Sequence, residues 1–144
     1  MTLACDDVTK NAKKDTFYII HAGTNDVKNS SSEALLDKYR RMIRKFRTKT
    51  NNILISGILP RIGAESSFYD KAYSTNNRLK TLCFQEKVDF VNLWDDFYDK
   101  SFLFLRDGLH LSPVGAARLG RLFSEQLSLY SAKNVQRARA AMSK

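Results

Sequence analysis

Thr16-Phe17-Tyr18-Ile19-Ile20-His21-Ala22 runs directly into Gly23-Thr24-Asn25-Asp26. Aromatic and β-branched residues without polar alternation describe a short strand buried on both faces, here Phe17–Ala22, and the small and polar residues that follow stop it in a loop. A strand covered on both faces belongs to a parallel sheet with helices packed on it, so the flanking sequence should supply those helices.

It does. Ser30-Ser31-Ser32-Glu33 places a serine three residues before a glutamate, the signature of a capping box. Leu35, Leu36, Tyr39, Met42, Ile43 and Phe46 then recur at helical spacing, with Lys38, Arg40, Arg41, Arg44, Lys45, Arg47 and Lys49 on the other face. Asn51-Asn52 ends this helix before a second strand, Ile53 to Leu59, closed by Pro60. After a polar loop, Phe68, Tyr69, Ala72, Tyr73, Leu79, Leu82 and Cys83 share one face of a second helix, and Val88 to Leu93 reads as a third strand. Trp94 to Arg106 is an aromatic and acidic connection. Pro113 suits the first turn of a final helix spanning about Val114 to Tyr130, with Leu119, Leu122, Phe123, Leu127 and Tyr130 inward. This alternation predicts an α/β fold, a parallel sheet with right-handed crossovers. Residues 1–144 are expected to form a single domain whose residues 131–144 are a basic C-terminal tail.

Composition narrows the function classes. The 144 residues carry 24 Lys and Arg against 15 Asp and Glu, a formal charge of +9, with 43% hydrophobic and 27% charged residues. That is ordinary globular composition, which excludes disorder, collagen and coiled coil, and a chain of this length closes a core without a disulfide or a structural metal. Cys5 and Cys83 allow one bridge at most, and two unpaired thiols fit an intracellular, cytoplasmic setting. No apolar run reaches the ~18 residues of a membrane span. Met1 to Cys5 is followed at once by Asp6-Asp7, which is unlike a secretory signal.

In a parallel α/β sheet, ligands gather beyond the carboxyl ends of the strands, and both distinctive polar loops, Gly23–Asp26 and Asp107–His110, lie there, so the two are expected to face one another. Asp107 and His110 are three apart in a glycine-containing turn, a spacing that lets a carboxylate bond one imidazole nitrogen while the other points outward as a base. The same pattern also serves turns and helix starts. Asn25 reads either as a turn-former or as an oxyanion donor. His21, following the apolar strand, reads either as a residue near the site or, in preference, as a satisfied buried histidine. Trp94, Phe97, Tyr98, Phe102 and Phe104 either line a pocket or pack over the sheet end, and Arg61 is either a contact for an anionic substrate or a solvated loop charge.

Taken together, Gly23-Thr24-Asn25-Asp26 after an apolar strand resembles the Gly-x-Asn-Asp block of the SGNH (GDSL-type) hydrolases, and Asp107-Gly108-Leu109-His110 resembles their final Asp-x-x-His block. The wider texture is similar to SGNH-type domains of some animal proteins and of retrotransposon-encoded esterases. The resemblance covers Asp15 to Tyr130 and implies a three-layer α/β/α, flavodoxin-like fold and hydrolysis of an acyl or acetyl ester without metal or organic cofactor. It implies His110 as general base, Asp107 as its orienting partner, the Asn25 amide as oxyanion donor, and Gly23 as the residue keeping that loop close.

The chain departs from the family pattern in one respect. It contains no Gly-Asp or Asp-Ser pair, so the block that carries the family's nucleophilic serine is absent, together with the block carrying the oxyanion glycine. Ser112 reads as a helix-start residue, Ser56 as a strand residue, Thr24 as a turn residue, and Cys5 and Cys83 as buried thiols. The sequence therefore resembles an SGNH domain lacking its first two strands, inactive as written, with Phe17–Ala22 as an exposed edge through which copies would self-associate. The rival reading is a degenerate domain whose basic helix face and tail bind nucleic acid.

Overall fold

The computed structural model describes residues 18–21 and 24–142, with side chains for 18–21 and 26–129. The chain divides between Asp99 and Lys100 into two compact units. The first holds strands β1 (Tyr18–Ile20), β2 (Ile53–Ser56) and β3 (Asp89–Val91), with helices α1 (Thr24–Asn29), α2 (Ser32–Arg47), α3 (Ser66–Glu86) and α4 (Trp94–Phe97). The second holds a 3-10 turn (Ser101–Leu103) and α5 (Pro113–Met142).

The strands form a parallel sheet in the order β1-β2-β3, with Ile20 opposite Ile55 and Ser56 opposite Val91. The crossovers between neighbouring parallel strands run through α2 and α3, which pack against each other. The whole of β2 is buried, as a strand covered on both faces must be. The expected inward stripe of α2 is buried at all six positions, Leu35, Leu36, Tyr39, Met42, Ile43 and Phe46. Each such side chain contributes about 1.5–3 kcal/mol by leaving water.

Several expectations are corrected by where backbone hydrogen bonds go. The segment after β1 is not a loop: Thr24–Asn29 is helical, with Asp26 in its first turn and Lys28 in its last, the arrangement that complements a helix dipole. The cap of α2 is Ser31, whose hydroxyl accepts from the Ala34 amide at 3.1 Å, and Glu33 pairs instead with Arg78 at 3.0 Å. Strand β2 stops at Ser56 rather than Leu59. Gly57 still donates to the Val91 carbonyl, but the Ile58 amide donates to Asn76 Oδ1 at 3.0 Å, which takes the chain off the ladder. Strand β3 is shorter for the same reason: Val88 donates back to Cys83 in the C-cap of α3, and Asn92 Oδ1 accepts from the Trp94 amide at 3.0 Å to start α4.

On α3, Tyr73 is 54% exposed rather than inward, and the polar Thr75 and Asn76 are buried in its place. Asn76 bonds Ile58, and Thr75 Oγ1 lies 2.8 Å from Ser32 Oγ, so both polar groups are satisfied. The last helix extends well beyond Tyr130, through Met142. Leu119, Leu122, Phe123 and Leu127 are only half-buried; the side chain of Tyr130 lies outside the described residues.

His21 follows β1 and Ser56 ends β2, and the parallel register places them opposite each other. His21 Nδ1 and Ser56 Oγ are 2.7 Å apart, and Ser56 Oγ donates to the Ile20 carbonyl at 3.2 Å, so the imidazole donates from Nδ1 to the serine oxygen. Burial lowers the His21 pKa below 6.5. As pH falls, the unfolded chain therefore binds this proton before the folded one. The stability tied to neutral His21 is complete above pH 6.5 and declines below it. Urea unfolding of the wild type should lose midpoint between pH 7.5 and pH 5.5, and the loss should be smaller in His21→Gln.

In the second unit, a Cβ on Gly115 would collide with the Leu103 carbonyl group, whereas one on Gly120 meets nothing within 4 Å. Gly115→Ala should cost about 1–3 kcal/mol by forcing backbone apart, and Gly120→Ala should gain about 0.5–1 kcal/mol from helix propensity. Equal urea midpoints for the two variants would contradict this packing.

Candidate functional site

The most organised polar cluster is built within one turn of the second unit. Asp107 Oδ1 accepts from the Leu109 and His110 amides at 2.9 and 3.0 Å, and Asp107 Oδ2 lies 2.5 Å from His110 Nδ1. Gly108 has φ +69°, a left-handed backbone that glycine adopts without strain, and its amide donates to Leu105 at 2.9 Å. The turn is stapled on both sides: Phe104 and Leu111 form an antiparallel bridge, Leu105 donates to the His110 carbonyl, and Ser112 donates to the Leu103 carbonyl. Pro113 then opens α5, with Ser112 as its cap: Ser112 Oγ accepts from Gly115 at 3.1 Å and donates to Phe102 at 2.8 Å.

The hydrogen bond from His110, and then those from the Leu109 and His110 amides, hold the Asp107 carboxyl down at about 2. Asp107 is thus an anion throughout the neutral range. An anionic carboxylate only accepts, so a neutral His110 bonded to it carries its proton on Nδ1 and its lone pair on Nε2. His110 is 70% exposed and Asp107 45%. The imidazole is thus held through Nδ1 and exposed to solvent.

The other expected site residues fare differently. Asn25 lies in α1, directly beyond the carboxyl end of β1, with its side chain outside the described residues; Gly23 lies outside them altogether. Among the residues weighed as nucleophiles, Ser56 is fully buried and bonded to Ile20, and Ser112 is spent on the helix cap. Burial, and then the charge of Asp89, push the Cys83 thiol up to about 12, so it is held as an inert thiol. Cys5 and the Thr24 side chain lie outside the described residues. Trp94, Phe97 and Phe104 are buried, whereas Tyr98 and Phe102 are exposed at 49% and 58%, so the aromatic segment is chiefly packing.

The basic face of α2 is partly neutralised in a way the spacing does not reveal. Arg44 and Arg47 reach the Glu86 carboxylate at 3.0 and 3.2 Å, with Arg40 at 3.9 Å, and Arg47 also donates to the Glu86 carbonyl. Glu86 sits at the end of α3, too distant in sequence for a helical pattern to show the pairing. Among the described residues no group of three or more His, Cys, Asp or Glu could hold a metal ion, and no helix is long and apolar enough to cross a membrane.

Comparison with known proteins agrees with this architecture. The GDSL-like lipase/acylhydrolase family matches residues 4–118. The esterase domain of the ZfL2-1 ORF1 protein from the zebrafish ZfL2-1 retrotransposon is similar at 34% identity and a TM-score of 0.64, over 75% of this chain and 70% of that one. A lipase/acylhydrolase from Enterococcus faecalis shares the fold at 15% identity and a TM-score of 0.64; 77% of this chain aligns with it, spanning 60% of its length. No curated protein matches. Strand order, helix placement and the match over residues 4–118 lead to one assignment: the chain belongs to the GDSL-like lipase/acylhydrolase family.

Proposed function

We propose that the chain supplies the acid–base and oxyanion elements of an ester hydrolase acting on small acyl or acetyl esters. The observation that carries this reading is the Asp107–His110 pair, a carboxylate held ionised against Nδ1 of an exposed imidazole. In the proposed reaction His110 Nε2 takes the proton of a serine hydroxyl as it attacks the ester carbonyl, and Asp107 offsets the imidazolium that forms. The Asn25 amide donates to the oxyanion of the tetrahedral intermediate. His110 then returns its proton to the leaving alkoxide, and water resolves the acyl-serine by the same steps in reverse order.

The serine is the element that residues 1–144 do not offer, since they hold no Gly-Asp or Asp-Ser pair. These residues alone should hydrolyse 4-nitrophenyl acetate near the buffer rate. The same residues joined to a Gly-Asp-Ser-bearing first strand from a family member should turn it over. That activity should fall roughly 10³-fold in His110→Ala and roughly 10²-fold, mainly in kcat, in Asn25→Ala. Turnover by the joined chain that survives His110→Ala would overturn the assignment.

A further inference from the structure

A cleft of about 430 Å³ opens in the first unit, lined by Lys28 of α1, by the loop after β2 with Arg61, and by the first turns of α3 with Glu65, Phe68 and Lys71. Its size is in the range that takes a small ligand. Three cations from three separate elements thus surround one concavity, against the single carboxylate of Glu65. This differs from the face of α2, where charges project from one helix and meet Glu86 and Asp37.

Each cation is placed by an identifiable contact or by its element. The Arg61 guanidinium lies over the Phe68 ring, 4.9 Å from its centroid, and Tyr69 Oη donates to the Arg61 carbonyl at 2.6 Å, pinning the loop from which Arg61 projects. Lys71 Nζ donates one of its three protons to the Ser30 carbonyl at 2.6 Å, which leaves two for another acceptor. Lys28 forms no ion pair among the described residues and stands on α1, three positions after Asn25. Gly63, with φ +72° and open space where a side chain would begin, keeps the loop side of the cleft unobstructed. Val27, Ala64 and Phe68 supply the apolar part of the wall, beside Ser67.

We propose that this cleft is a binding subsite for an anionic group, a carboxylate or a phosphate monoester, carried on a small apolar or aromatic body. The anion lies among Lys28, Arg61 and Lys71, and the body lies against Phe68 and Val27. Glu65 partly balances the cations when no ligand is present and excludes cationic ligands. The anion site does not depend on the hydrolase reading above.

Isothermal titration of the full chain with phenyl phosphate, benzoate and neutral benzyl alcohol tests it. Phenyl phosphate and benzoate should bind about tenfold or more tightly than benzyl alcohol, weaken with added salt, and lose affinity roughly tenfold in Lys28→Gln and in Arg61→Gln. Lys28 is exposed on a short helix, so its variant stays informative if Arg61→Gln fails to fold. Benzyl alcohol binding as tightly as phenyl phosphate, or phenyl phosphate binding Lys28→Gln as tightly as wild type, would overturn the proposal. Ester turnover by the chain joined to a Gly-Asp-Ser-bearing first strand is a separate readout: its absence would remove the hydrolase reading and leave the anion site standing, and its presence without a preference for phenyl phosphate or benzoate in binding would do the opposite.

Discussion

Parallel pairing of β1, β2 and β3 is the constraint on which the first unit depends. A parallel ladder cannot be closed by a hairpin, so each connection must be a long crossover, and each crossover here is a helix whose apolar stripe is buried. The same pairing sends the carboxyl end of every strand to one edge of the sheet. The segments that leave this edge, α1 after β1 and the Arg61 loop after β2, supply the residues nearest to recognition chemistry. Fold and candidate ligand cleft are therefore consequences of one arrangement, and the His21–Ser56 bond sits at its seam, where two strands end side by side.

Legible in the sequence is what repeats or lies close along the chain. The six-residue stripe of α2 depends only on helical period, and the Asp107–His110 pair depends only on a turn of four residues, so both can be read without knowing the fold. Strand cores around Ile19, Ile55 and Phe90 are legible because β-branched and aromatic runs of that length have few alternatives.

Features that depend on partners far along the chain are not legible in this way. Nothing near Ile58 shows that its amide will turn to Asn76, 18 residues away, so the apolar pattern carries β2 three residues past its true end. Nothing in α2 shows that Glu86 will gather Arg40, Arg44 and Arg47, so a helix that reads as a uniform basic face is in fact partly neutralised from outside its own sequence. The helix at Thr24–Asn29 reads as a loop because glycine, asparagine and aspartate carry turn propensities that short-range reasoning weights heavily, whereas tertiary contact with α2 and α3 decides the outcome. Tyr73 departs from its pattern for a related reason: a residue at inward spacing turns outward where its ring meets the edge of Trp94 at 5.8 Å.

The two candidate sites also differ in how they are supported, and this shapes what each can tolerate. Asp107 and His110 are organised by backbone groups of residues 103–112 and by the start of α5, so their geometry is a local property of the second unit. Most substitutions in the first unit leave those hydrogen bonds untouched. The cleft of Lys28, Arg61 and Lys71, by contrast, exists only if α1, the loop after β2 and α3 are all in place, which requires the sheet to be formed and α3 to be docked. Mutations that loosen the core of the first unit should therefore erase anion recognition before they disturb the acid–imidazole pair. The Asp107–His110 pair, held by its own turn, requires only that this turn and the start of α5 be formed.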